Sequence, residues 1–137
     1  MGLLEPASDP SVAPRRHYMD RLFRVNDQWI HAELKKAKNA RDAYHQISDY
    51  RHLYERCRSD EAGYELDPKP IRSKAYYGGM SDRDILAFCQ DVPDIKESWV
   101  ILFDIDKSNR SFLPDLKERW PNVKQMEILE DGTHQEL

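Results

Sequence analysis

Between His17 and Arg58 the chain contains no proline and no glycine. Those two residues punctuate helices and start turns, so a stretch this long without either permits extended helix. The clearest part begins at Gln28. Apolar or small residues fall at Ile30, Leu34, Ala37, Ala40, Tyr44, Ile47, Tyr50, Tyr54 and Cys57. Their steps of three and four make a helical stripe. Asn26 or Asp27 would cap such a helix. The piece before it, "HYMDRLFRV", reads equally as a short helix or a strand.

Beyond Arg58 the pattern breaks. Gly63, Pro68 and Pro70 mark a connecting loop. "IRSKAYY" then reads as a strand stopped by Gly78-Gly79. "SDRDILAFCQDV" opens with Ser81 and has Asp84 three residues on, a capping-box pattern before an apolar helical face. "SWVILFDI" is a β-rich run of strand length. "NRSFLPDLKERW" reads as a short helix with Pro114 in its first turn, and "NVKQMEILE" alternates as a final strand. The expected class is α/β (or α+β): a long N-terminal helix, then a small β-α-β-α-β sheet unit of three mostly parallel strands. Residues 1–15, with three prolines and no periodicity, read as a disordered lead-in. Residues 16–137 read as one globular domain, helical over 16–60, with the sheet unit over 71–131.

Composition narrows the function classes. At 137 residues the chain can build one core but not two. No apolar run approaches the roughly 20 residues that span a bilayer, and the opening residues lack the order of a signal peptide. The expected location is cytoplasmic, with no membrane partner. Net charge is −4, with 11 basic against 9 acidic residues over 1–60 and 10 against 16 over 61–137. That interleaving gives no dense basic face for a duplex. Cys57 and Cys89 are too few for a disulfide scaffold or a zinc ribbon and read as buried thiols.

Chemistry-bearing residues concentrate after the expected strands. In an open parallel sheet, ligands bind beyond the carboxyl ends of the strands. That rule brings Asp82, Asp84, Asp104, Asp106 and Asp131 to one edge. Asp104, Asp106 and Asp84 are the candidate ligands for Mg²⁺ or Mn²⁺, since hard cations prefer oxygen donors. They are also the candidate catalytic residues, with Arg83, Lys107 and Tyr77 as candidate substrate contacts. The competing reading gives these aspartates ordinary capping and turn roles.

"VILFDIDKS" resembles the opening motif of haloacid-dehalogenase-type phosphatases, an apolar strand followed by Asp-x-Asp. Lys107-Ser108 stand where that motif has small residues, and the assignment is excluded. "DIDKSNRSFLPD" departs from an EF-hand loop at Asn109, where glycine is required, and at Asp115, where glutamate is.

A second constellation lies within the stripe region. Asp42, His45, Asp49 and His52 share one helical face, with His31 two heptads upstream of His45. Lys35, Lys38 and Arg56 share that face and oppose a cation there, so it reads as solvated.

The leading expectation is a cytoplasmic, non-catalytic protein-binding or regulatory module. It would act on a protein partner, or a second copy, through the long helix, with Leu34, Tyr44, Ile47 and Tyr54 as interface residues and no cofactor. A helix from Gln28 onward is longer than three strands need for cover, which motivates the reading. The alternative is a Mg²⁺- or Mn²⁺-dependent phosphoryl-transfer enzyme, nuclease-like, using the edge aspartates. A second alternative is nucleic-acid binding without catalysis.

Overall fold

A computed structural model describes residues 2–67, 83 and 94–137. The elements are β1 (Gly2–Glu5), β2 (Arg15–Tyr18), β3 (Arg21–Val25), β4 (Gln28–Lys36), a 3₁₀ turn (Ala37–Asn39), α1 (Ala40–Arg58), β5 (Glu65–Asp67), β6 (Ile95–Phe103), α2 (Asn109–Arg119), β7 (Val123–Ile128) and β8 (His134–Glu136). Among the described residues the fold is mixed α+β, with eight strands in two sheets whose pairings are mostly antiparallel. The long N-terminal helix followed by a small parallel sheet is therefore wrong.

The error has a physical source at the start of the stripe. Ile30 and Leu34 stand four apart, a spacing that serves a helix of period 3.6 and a strand of period 2 equally. Ala32 between them completes the strand alternation Ile30, Ala32, Leu34, and the other face carries His31, Glu33 and Lys35. The turn decides between the two. Asn26 and Asp27 have φ of 48° and 63°, and Val25 pairs directly with Gln28. Two consecutive left-handed residues make the two-residue hairpin turn whose twist matches its strands. Asn and Asp tolerate that conformation best after glycine. They form a β-turn here, not a helix cap.

The chain packs as two compact units. The first holds residues 1–19 and 50–94, and the second 20–49 and 95–137. In the first, β1 lies between β2 and β5, antiparallel to both. Gly2–Glu5, read from sequence as unstructured lead-in, is thus the middle strand of a sheet, with Leu3 buried. Tyr50, Leu53, Tyr54 and Cys57 from the second half of α1 are buried. Burial pushes the Cys57 thiol up from its usual pKa. Gly63 has a left-handed φ of 85°, and a Cβ there would stand 2.7 Å from the Pro6 ring, so only glycine fits.

The second unit carries the five-stranded sheet in the order β3-β4-β6-β7-β8. Its middle is parallel, β4 with β6 and β6 with β7. The flanking pairs, β3 with β4 and β7 with β8, are antiparallel. A mostly parallel three-strand centre exists, but its first strand is Gln28–Lys36 and not the "IRSKAYY" segment, which lies outside the described residues. Ala37, Ala40, Ala43, Tyr44 and Ile47 pack with Val100 and Leu102 of β6, Val123 of β7, and Leu113 and Leu116 of α2. Each fully buried Val, Leu or Ile side chain is worth about 1.5–3 kcal/mol. Gln125 is buried among them, its amide donating to Tyr44 Oη at 3.0 Å and to the Leu113 carbonyl at 3.1 Å. Pro114 falls inside α2 rather than in its first turn.

Candidate functional site

The aspartates that sequence singles out divide into separate fates. Asp104 is exposed, with a left-handed φ of 53°, and its carboxylate lies 3.9 Å from Lys36 Nζ across open surface. Asp106 caps α2. Its Oδ1 accepts the Asn109 backbone N–H at 2.8 Å and the Ser108 hydroxyl at 2.7 Å. In return the Asn109 side-chain oxygen accepts the Asp106 N–H at 3.1 Å. This reciprocal pair satisfies two donors at the helix start, and the Ser108 and Asn109 hydrogen bonds hold the Asp106 carboxyl below its ordinary pKa. Asp131 does similar turn work for Thr133. Lys107 is exposed, and Arg83 is helical and exposed. Asp82, Asp84 and Tyr77 lie outside the described residues.

The residues read as an interface have other neighbours. Tyr44 and Ile47 belong to the core just described, and Tyr54 is buried. Leu34 is on β4, not on a helix. The apolar stripe of α1, from Ala40 to Cys57, is buried within the chain. Beside the stripe, His45 packs edge-on to Trp120, and His52 accepts from Arg56 Nε. His31 does not continue that line, because it too is on β4.

A different acidic pair meets inside the second unit. The register pairing Arg21 with Ala32 places Asp20 opposite Glu33 at the open end of the β3–β4 hairpin. Asp20 Oδ2 accepts the Leu34 backbone N–H at 3.1 Å, and the Asp20 N–H donates to Glu33 Oε1 at 3.4 Å. His31 Nε2 lies 2.8 Å from the same Glu33 Oε1. Both His31 and Glu33 are only 2% exposed, whereas Asp20 and Lys35 are half-buried. Strand alternation sends His31, Glu33 and Lys35 to one face of β4. Glu33 pairs with Val100 of β6, three residues before the end of β4.

The electrostatics mark this pair out. Burial raises the Glu33 pKa above its ordinary value and Asp20 adds to the rise, while the His31 hydrogen bond opposes it. An acid raised by desolvation next to a second acid is held in an unfavourable ionic form at neutral pH. Such perturbed groups concentrate at functional sites. The oxygens of Asp20 and Glu33 suit a hard divalent cation. Mg²⁺ needs only one or two protein carboxylates, the rest of its shell being water and substrate phosphate. Among the described residues no three His, Cys, Asp or Glu side chains form a metal-binding group.

Sequence reading missed Asp20, Glu33 and Lys35 because the strand carrying two of them was read as helix. The usable signal was the Asn26-Asp27 turn between "RLFRV" and "QWIHAEL", which folds Asp20 back onto Glu33. No protein-family model, curated protein or solved structure matches the chain. Among the described residues no helix is long and apolar enough to cross a membrane.

Proposed function

We propose that the protein is a divalent-metal-dependent phosphoryl-transfer enzyme, nuclease-like, with its centre at Asp20, Glu33 and Lys35. The observation that carries this reading is the meeting of two acidic residues at the open end of the β3–β4 hairpin, Asp20 just before β3 and Glu33 on β4, the latter buried and raised in pKa. Within the chain Glu33 Oε1 meets the Asp20 N–H and His31 Nε2. An apolar side chain at that sheet position would be stable without it, and a buried acid costs stability unless something compensates. A divalent cation provides that compensation and gives the pair a use.

In this reading Asp20 and Glu33 hold Mg²⁺ or Mn²⁺. When bound, the ion supplies Lewis-acid polarisation and a water activated near neutral pH. Lys35, two residues from Glu33 on the same face, brings a point positive charge for a phosphoryl oxygen, where charge accumulates as the reaction proceeds. Asp20, held by the Leu34 N–H, keeps its carboxylate fixed against Glu33. Asp104 and Asp106 take no part.

The test is hydrolysis of an activated phosphodiester and of plasmid DNA by purified protein with Mg²⁺, with Mn²⁺, or with EDTA. The expected result is cleavage with either ion, loss in EDTA, and loss in Asp20→Asn and Lys35→Ala. Cleavage that persists unchanged in both variants contradicts the assignment, as does no cleavage of either substrate with either ion.

A further inference from the structure

We propose that the surface around Trp120 binds single-stranded nucleic acid, a base stacking on the Trp120–Arg119 pair and a phosphate meeting Arg41. These residues belong to α1 and to the end of α2, all within the second unit. Neither acid of the Asp20–Glu33 pair takes part.

Trp120 is half-buried and packs against the core of the unit. The buried Tyr44 ring stacks on it, with centroids 5.1 Å apart and planes at 24°, and His45 meets it edge-on at 5.4 Å. Arg119 is exposed, and its guanidinium lies 4.9 Å from the centroid of the same indole. Core contacts thus hold the ring that carries this flat cation, and a site held ready loses little freedom on binding.

Arg41 is exposed and stands one turn before His45 on α1. Residues four apart on a helix share a face, so the His45–Trp120 contact puts Arg41 beside the stack. Arg56, Arg58 and Arg110 each meet a carboxylate. Among the described residues Arg41 and Arg119 do not. Asp42 and Glu118 adjoin them in sequence, but neighbouring helical residues do not face each other.

Two arginines without carboxylates, one of them stacked on an indole, suit a ligand that carries both an anion and a flat ring. Nucleic acid supplies a phosphate for Arg41 and a base for the Arg119 plane. An acidic peptide would leave the plane unused. A duplex keeps its bases inside, and the chain has no dense basic face for one, so the occupant is a single strand.

The test is fluorescence anisotropy of a labelled DNA single strand of about 12 nucleotides, within the span of known single-strand sites, titrated with the full chain in EDTA. A duplex of the same length is titrated beside it, and salt is varied from about 50 to 200 mM. Wild type, Arg119→Ala, Arg119→Lys and Arg41→Ala are compared, with circular dichroism to show that each is folded. The expected result is tighter binding of the single strand than of the duplex. Affinity should fall about 5–100-fold in Arg119→Ala, the worth of one stacked base. Arg119→Lys should do little better, since lysine keeps the charge but not the plane. Arg41→Ala should weaken binding and reduce the salt slope by about one.

Absence of wild-type binding at the lower salt overturns the proposal, as does equal or tighter binding of the duplex. Full affinity in Arg119→Lys overturns the stacking, and an unchanged salt slope in Arg41→Ala overturns the phosphate contact. EDTA removes divalent ions, so each of these results is independent of phosphodiester cleavage.

Discussion

Two acidic regions of the second unit differ in what their carboxylates do. At the end of β6, Asp104 is exposed and Asp106 is bound to the first turn of α2. At the mouth of the β3–β4 hairpin, Glu33 is buried against Asp20 and His31. In the first, the Ser108 hydroxyl and the Asn109 N–H donate to Asp106, and its pKa falls. In the second, burial and a neighbouring acid push Glu33 the other way. The contrast separates acids at the surface from an acid that the fold buries. Motif spacing favoured the first pair; physical cost points to the second.

The sharpest way to break this comparison is to neutralise each region in turn. Glu33→Gln should reduce Mn²⁺-dependent phosphodiester cleavage by roughly 100-fold or more. The loss follows from the several kcal/mol that a metal contributes, at about 1.4 kcal/mol per factor of ten. Asp104→Asn should leave the rate unchanged, and steady-state kinetics on the two purified variants check both.

Next in size is the hairpin that brings Asp20 to Glu33. Asn26→Val places a β-branched residue at a left-handed φ, which costs on the order of 1–3 kcal/mol, and should lower the unfolding midpoint and weaken Mn²⁺ binding together. A lower midpoint with unaltered Mn²⁺ affinity would show that the turn does not set the site.

Asp106→Ala should have a smaller effect, confined to stability. It removes the carboxylate that accepts the Asn109 N–H at the start of α2, so the midpoint should drop by a few degrees while cleavage per folded molecule stays constant.

The last effect is in pH dependence without metal. A raised Glu33 means that the folded chain holds this proton more tightly than the unfolded chain does. Its contribution to stability is present below the ordinary value of 4.5 and is lost as pH rises through the raised folded value. Thermal melts in EDTA should therefore show a midpoint that declines above about pH 4.5, and Glu33→Gln should flatten that decline. Added Mn²⁺ should offset it, since the ion favours the ionised form.

What was legible in the chain follows from the range over which each signal acts. The strand at Ile95–Phe103, the helix at Asn109–Arg119 and the strand at Val123–Ile128 are marked by their own composition and were all anticipated, with boundaries off by a few residues. The hairpin was not, because Ile30 and Leu34 satisfy both periods and only the Asn26-Asp27 turn distinguishes them. Gly2–Glu5 is a strand because β2 and β5 flank it, and nothing within four residues records that. The candidate site fails to show for the same reason. Asp20 and Glu33 are distant in sequence and meet through strand register, whereas Asp104-Ile105-Asp106 advertises itself within three residues and turns out to serve a turn and a helix start.

The most direct test of this account is a Mn²⁺ titration of the wild type, Glu33→Gln and the double variant Asp104→Asn/Asp106→Asn, followed by electron paramagnetic resonance of the free ion. The account predicts saturable binding in the wild type, retained in the double variant and abolished by Glu33→Gln. Binding that survives Glu33→Gln and disappears with the two loop aspartates would return the site to the end of β6 and contradict it.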